Sequence, residues 1–201
     1  MKLRVFVSGV TEFKGLPRLF EKLLKEVSQS QYHDIIITKP ANGKNQFLNK
    51  LNLSVKYAFN ASDLKYIFTL EDSDKEKVGV LESIFYSKVS QEFHDRFTPH
   101  FAVHEIETWI LSDKKLLEKA GLRNVTDYIE PEKEINNVKK PSIYLDELFR
   151  ASEIGKYKKT IDGVNLLGDL NIETVYKKCP SFKNFIDDIL KALNIENIYN
   201  I

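Results

Sequence analysis

The chain has 201 residues, 42% of them apolar, with 13 Phe, 9 Tyr and a net charge of +1. That is the size of one generous domain with a real core, and no run approaches the roughly 18 apolar residues of a membrane span. The opening Met1–Val7 is too short for a secretory leader, and the single cysteine, Cys179, excludes an internal disulfide and a cysteine-only zinc site, so a reducing, cytoplasmic setting is expected.

Leu3–Val7 reads as a first strand, followed by a loop from Ser8 to Gly15 bounded by two glycines. Leu16, Leu19, Phe20, Leu23, Leu24 and Val27 then recur at helical spacing, with Pro17 expected in the first turn. Asp34–Thr38 is a β-branched second strand leading into a polar loop, Lys39–Asn45, and a helix over about residues 46–60. Leu64–Leu70 is apolar on both faces apart from Lys65 and Thr69, the pattern of a central parallel strand. A long helix from about Lys75 to Arg96 precedes a fourth strand, Phe97–Val103, and the pattern is helical from Glu105 onward. Ser142 and Ser181, each after a proline, are read as helix N-caps. Four strands alternating with helices imply an α/β fold with a Rossmann-like parallel sheet. The expected division is an α/β core over 1–113 and a helical C-terminal extension over 114–201.

The charge is unevenly spread. Residues 1–60 hold ten Lys/Arg against four Asp/Glu, and residues 61–113 hold five against eleven. Such blocks are usually solvated faces, but an acidic centre with basic flanks also suits a site that holds cations and, through them, phosphates.

Asp72 and Asp74 follow the central strand two residues apart, so continued strand geometry would aim both carboxylates the same way at its C-terminal end. Open α/β sheets bind ligands at that edge. Two close carboxylates favour a shared Mg²⁺ or Mn²⁺. The same stretch, Ser73-Asp74-Lys75-Glu76, also fits a helix capping box. Glu12 reaches the same edge from the first loop, or sits favourably at a helix N-terminus. Glu105 and Glu107 share a face only if extended, and His104 is read as a packing or capping histidine. Lys44, Lys139, Lys140 and Lys158 could contact phosphate and Tyr157 could stack on a base, against the plainer reading of solvated lysines. Trp109, Ile110 and Leu111 are read as core and Cys179 as a small buried packer.

Three segments resemble the Toprim-like proteins grouped as domain of unknown function 4276, which are related to the OLD and RloB nucleases. Val7-Ser8-Gly9-Val10-Thr11-Glu12 resembles the opening Val-Glu-Gly-x-Thr-Glu of that family, and Leu70–Asp74 its Asp-x-Asp. Val103–Asp113 resembles its His-Glu-x-Glu-Ala-Trp-Leu-Leu-x-Asp segment. Pro131-Glu132, Lys140-Pro141-Ser142, Tyr157-Lys158 and Cys179–Phe182 also fit. The resemblance implies a Toprim fold, Mg²⁺ or Mn²⁺ on the acidic edge, and phosphodiester hydrolysis on DNA or RNA. It further implies an ABC-type ATPase partner in defence against phage, and no membrane. The residues it carries over are Glu12, Asp72 and Asp74, with Glu105 and Glu107. Ser8 departs from the pattern, standing where the first glutamate belongs. Either Glu12 or Glu105 compensates, or activity is weakened or lost, and Ser8→Glu is expected to restore a ligand.

Overall fold

The computed structural model describes residues 2–27, 34–39, 41, 43–61, 63–128, 130 and 140–199. Strands β1 (Lys2–Val7), β2 (Asp34–Thr38), β3 (Leu64–Asp72) and β4 (Phe97–Ala102) form one parallel sheet in the order β2-β1-β3-β4. The two-residue period of the strands divides their apolar side chains between two faces. Leu3, Val5, Val7, Phe68 and Leu70 enter one core; Phe6, Ile67, Phe97 and Phe101 enter the other. Pro99 has no N–H to give a ladder and sits on β4, an edge strand, where that is tolerated.

Helix α1 (Val10–Val27) covers the first face and α2 (Lys44–Ala61) the second, together with α3 (Val78–Lys88). The C-terminal helices join α1 on the first face: α4 (Glu107–Leu111), α5 (Lys114–Lys119), α6 (Pro141–Ala151), α7 (Val164–Asp169), α8 (Ile172–Lys178) and α9 (Pro180–Ala192). Trp109 anchors that core, fully buried against Phe182 and Phe185. Ile110, Leu111 and Cys179 are buried with it, as the sequence predicts.

Several local expectations give way to tertiary structure. Helix α1 begins at Val10, so the expected glycine loop is its first two turns, and Pro17 lies inside it. Packing holds this start in place: Gly15 lies against Leu167 and the Val164 carbonyl of α7, where a Cβ would be crowded. The long helix expected after β3 is split into α3 and a 3-10 turn, Gln91–Arg96. Ser73 caps nothing; it is buried and its hydroxyl accepts the His104 N–H at 2.8 Å. The N-caps of α6 and α9 are Lys140 and Cys179, with the prolines at the first helical position. Distant carboxylates take the place of the expected serine caps: Ser142 N–H donates to Glu105 at 2.9 Å and Ser181 N–H to Glu130 at 2.8 Å.

The connection β1–α1–β2 runs to one side of β1, and β2–α2–β3 returns to its other side. The C-terminal ends of β1 and β3 therefore flank the point where strand order reverses, the place at which open α/β sheets bind ligands.

Candidate functional site

Ser8, at the end of β1, and Glu71 and Asp72, at the end of β3, stand on either side of this switch point. Glu12 joins them from the first turn of α1. It is buried, and its Oε2 has no hydrogen-bond partner. Gly9 makes room for it, since a Cβ at that position would collide with the Glu12 carboxylate. Burial, and next the nearby Asp72 charge, push Glu12 up to about 8.

Asp72 is half-buried and fixed by the Ile106 N–H, which donates to its Oδ1 at 2.7 Å. Its other oxygen lies 3.4 Å from the Lys159 ammonium, which also donates to Glu107 Oε2 at 3.0 Å. Burial raises Asp72 to about 7; Lys159 opposes the shift and Glu107 adds to it. Glu107 is fully buried at the start of α4 and takes a second hydrogen bond from the Tyr157 hydroxyl at 3.1 Å. Burial disfavours the Lys159 charge, but Asp72 and Glu107 outweigh it and hold that group above its usual range. The ammonium is thus a built-in counter-ion for two carboxylates. It enters from the π-helical turn Lys159–Gly163, whose first carbonyl accepts the Thr11 hydroxyl at 3.1 Å.

Of the remaining predicted residues that the structure describes, only Lys44 also reaches this edge. Strand β3 ends at Asp72, and Asp74 lies in a turn with φ 55°, so the two aspartates do not share a strand face. Asp74 is exposed and lies 3.5 Å from Lys44. Glu105 and Glu107 also diverge, because α4 begins between them; Glu105 caps α6 and lies 3.9 Å from Lys140. His104 Nδ1–H donates to the Asp74 carbonyl at 2.9 Å, in keeping with a packing role. Lys44 opens α2 and donates to the Asp72 carbonyl at 3.0 Å, so it serves the acidic edge directly. Lys140 and Lys158 are exposed, while Lys139, Pro131 and Glu132 lie outside the described residues. Tyr157 is buried, so its ring is not presented to a base.

Sequence reasoning missed the roles of Glu71, Lys159 and Tyr157. Lys159 reads as one more lysine of a surface run, and nothing local marks it as the one that turns inward.

Among the described residues no three His, Cys, Asp or Glu side chains converge on one cation position. Mg²⁺, however, is commonly held by one or two carboxylates with water and substrate phosphate completing its shell. The orphaned Oε2 of Glu12, in its glycine cradle beside Asp72, fits that mode. A cavity of about 490 Å³ beside β4, lined by Glu82, His100 and Asp188, contains none of these residues. No helix among the described residues is long and apolar enough to cross a membrane.

Comparison with curated proteins and with solved structures finds no match. A family model does match, over residues 7–190, from the last residue of β1 through β3, the acidic edge and the turn that delivers Lys159. The chain belongs to the family described as Domain of unknown function (DUF4276).

Proposed function

We propose that this protein is a Toprim-like, divalent-cation-dependent phosphodiesterase acting on nucleic acid, of the kind found in the OLD and RloB nucleases. The observation that carries the reading is the Glu12 carboxylate: buried, unpartnered on one oxygen, and beside Asp72 at the sheet switch point. A buried acid with spare lone pairs next to a second acid is stabilised by a proton or by a shared cation. Glu12 and Asp72 would hold Mg²⁺ or Mn²⁺, which when bound supplies charge neutralisation at a phosphate oxygen and lowers the pKa of a water ligand.

The chain's own residues do the rest. The Ile106 N–H fixes Asp72 in one orientation. Lys159 neutralises Asp72 and Glu107, which keeps the edge from repelling a phosphate outright. Glu12, raised to about 8 by burial and next by the Asp72 charge, holds a proton near neutral pH and would release it on taking up the cation. The exposed Lys140 and Lys158 would contact the phosphate backbone. The protein would work in the cytoplasm with an ABC-type ATPase partner, in defence against phage.

The second reading is a non-catalytic subunit that binds nucleic acid or the ATPase. It is favoured by Lys159, which already satisfies two carboxylates without a metal. Plasmid, single-stranded DNA and tRNA incubated with Mn²⁺ or with EDTA separate the two. Cleavage that needs Mn²⁺ and vanishes in Asp72→Asn supports the enzyme. Intact substrates, retained on the protein at low salt, support the binding subunit.

A further inference from the structure

One residue supplies both hydrogen bonds to a buried carboxylate at the end of the sheet. Ser8 donates its backbone N–H to Oε1 of Glu71 at 2.6 Å and its hydroxyl to Oε2 at 2.5 Å. Glu71 is 5% exposed, and the two bonds from Ser8 only partly offset the burial that raises it to about 7. Its charge also reaches Glu12, whose Oε2 is buried without a partner between the fields of Asp72 and Glu71.

Strand geometry explains how Ser8 and Glu71 meet. Val7 pairs with Leu70 in the β1–β3 ladder, so residues 8 and 71 continue that register. Phe6 and Ile67 face the core beneath α2 and α3. By alternation Ser8 and Glu71 leave the sheet on that side, and Asp72 leaves it on the other. Side chains directly opposite on parallel neighbours lie close, and two charges of one sign there repel. That place accommodates one carboxylate. Here it stands on β3, at residue 71, and Ser8 faces it from β1.

We infer that Glu71 is the site's carboxylate on the α2 side, that Ser8 is its positioning residue, and that positions 8 and 71 share one carboxylate that can be exchanged between the two strands. What Glu71 faces, a hydrated divalent cation at the switch point, rests on the phosphodiesterase reading; the exchange rests on the Ser8–Glu71 contact alone. The expectation that Glu12 or Glu105 makes up for Ser8 is replaced accordingly, and so is the expectation that Ser8→Glu by itself restores a ligand.

The test is titration with Mn²⁺ by calorimetry, alongside urea unfolding in EDTA, for wild type, Asp72→Asn, Glu71→Gln, Ser8→Ala, Ser8→Glu and the double variant Ser8→Glu/Glu71→Ser. Glu71→Gln is expected to weaken Mn²⁺ binding roughly tenfold or more, and Ser8→Ala by about tenfold, the usual effect of removing a residue that orients a ligand. Ser8→Glu, which sets two carboxylates face to face, should unfold at lower urea than wild type. The double variant should regain both its urea midpoint and a Mn²⁺ affinity within about threefold of wild type, the non-additivity expected of residues in contact. The inference is overturned if Glu71→Gln binds Mn²⁺ like wild type while Asp72→Asn does not, or if the double variant is no better than Ser8→Glu. A wild-type protein that takes up no Mn²⁺ overturns the phosphodiesterase reading and the cation role of Glu71 with it, while the exchange stands or falls on the urea midpoints of Ser8→Glu and the double variant.

Discussion

Gly9 keeps open the space that the Glu12 carboxylate fills. A methyl group there meets the far end of a flexible side chain, which can swing away, so the backbone need not move. Gly9→Ala is therefore expected to leave stability within about 1 kcal/mol of wild type while reducing Mn²⁺ affinity on the order of tenfold, read by calorimetry and urea unfolding of the same sample. A large loss of stability with unchanged affinity would mean that Glu12 is only a packing residue. Lys159 poses the opposite case. Removing one partner of a buried ion pair costs about 3–5 kcal/mol when no water reaches it. The Lys159 side chain is 38% exposed, so water shares the loss and Lys159→Met is expected to cost about 1–3 kcal/mol. Adding Glu107→Gln should recover part of this, because the uncompensated charge in the core disappears with it. If the second substitution makes matters worse, Glu107 does more than answer Lys159.

The strands were legible and the helix boundaries less so, for one physical reason. A strand's two faces write an alternation into its own residues, as Leu3, Val5 and Val7 against Phe6 show. A helix end is decided by whatever caps it, and here the caps come from far away in the chain. Glu105 serves α6 across 37 residues and Glu130 serves α9 across 51, so local serine rules pointed at the wrong partner. The start of α1 was hidden in the same way, with Pro17 arguing for a later beginning and the fit of Gly15 against α7 overriding it. The acidic edge was readable because Asp72 ends a strand; its counter-ion was not, because Lys159 reaches it from 87 residues on. The capping role of Glu105 is testable on its own. Glu105→Gln removes a carboxylate from the N-terminus of α6, where its charge is favourable, and is expected to cost about 1 kcal/mol with Mn²⁺ affinity unchanged. Weaker Mn²⁺ binding in this variant would return Glu105 to the site.

The whole molecule carries the electrostatic cost of gathering these acids under one roof. Glu12, Glu71 and Asp72 are raised to about 8, 7 and 7 from ordinary values of 4.5, 4.5 and 3.8, in each case first by burial. When the folded pKa of an acid lies above its unfolded pKa, the folded state holds the proton longer and binds more protons across the interval between the two values. Stability then falls as pH rises through that interval. Lys159 is also raised, but a raised lysine contributes fully below its ordinary value of 10.5, so it adds no slope near neutrality. With metal removed by EDTA, the free energy of unfolding is therefore expected to drop by about 1–3 kcal/mol per pH unit between roughly pH 5 and 7, against a ceiling of about 1.4 for each acid titrating alone. The decline should slacken through about pH 8, where Glu12, the last of the three, is half ionised in the folded state, and end about one unit higher. A divalent cation binds only the deprotonated carboxylates, so saturating Mn²⁺ should flatten the curve, and its affinity should increase with pH over the same range. Urea unfolding at pH 5, 6, 7 and 8, with EDTA and with Mn²⁺, measures both effects. A stability that stays level from pH 5 to 7 in EDTA would show that the three carboxylates are already ionised there, with Lys159 and Lys44 neutralising the edge by themselves.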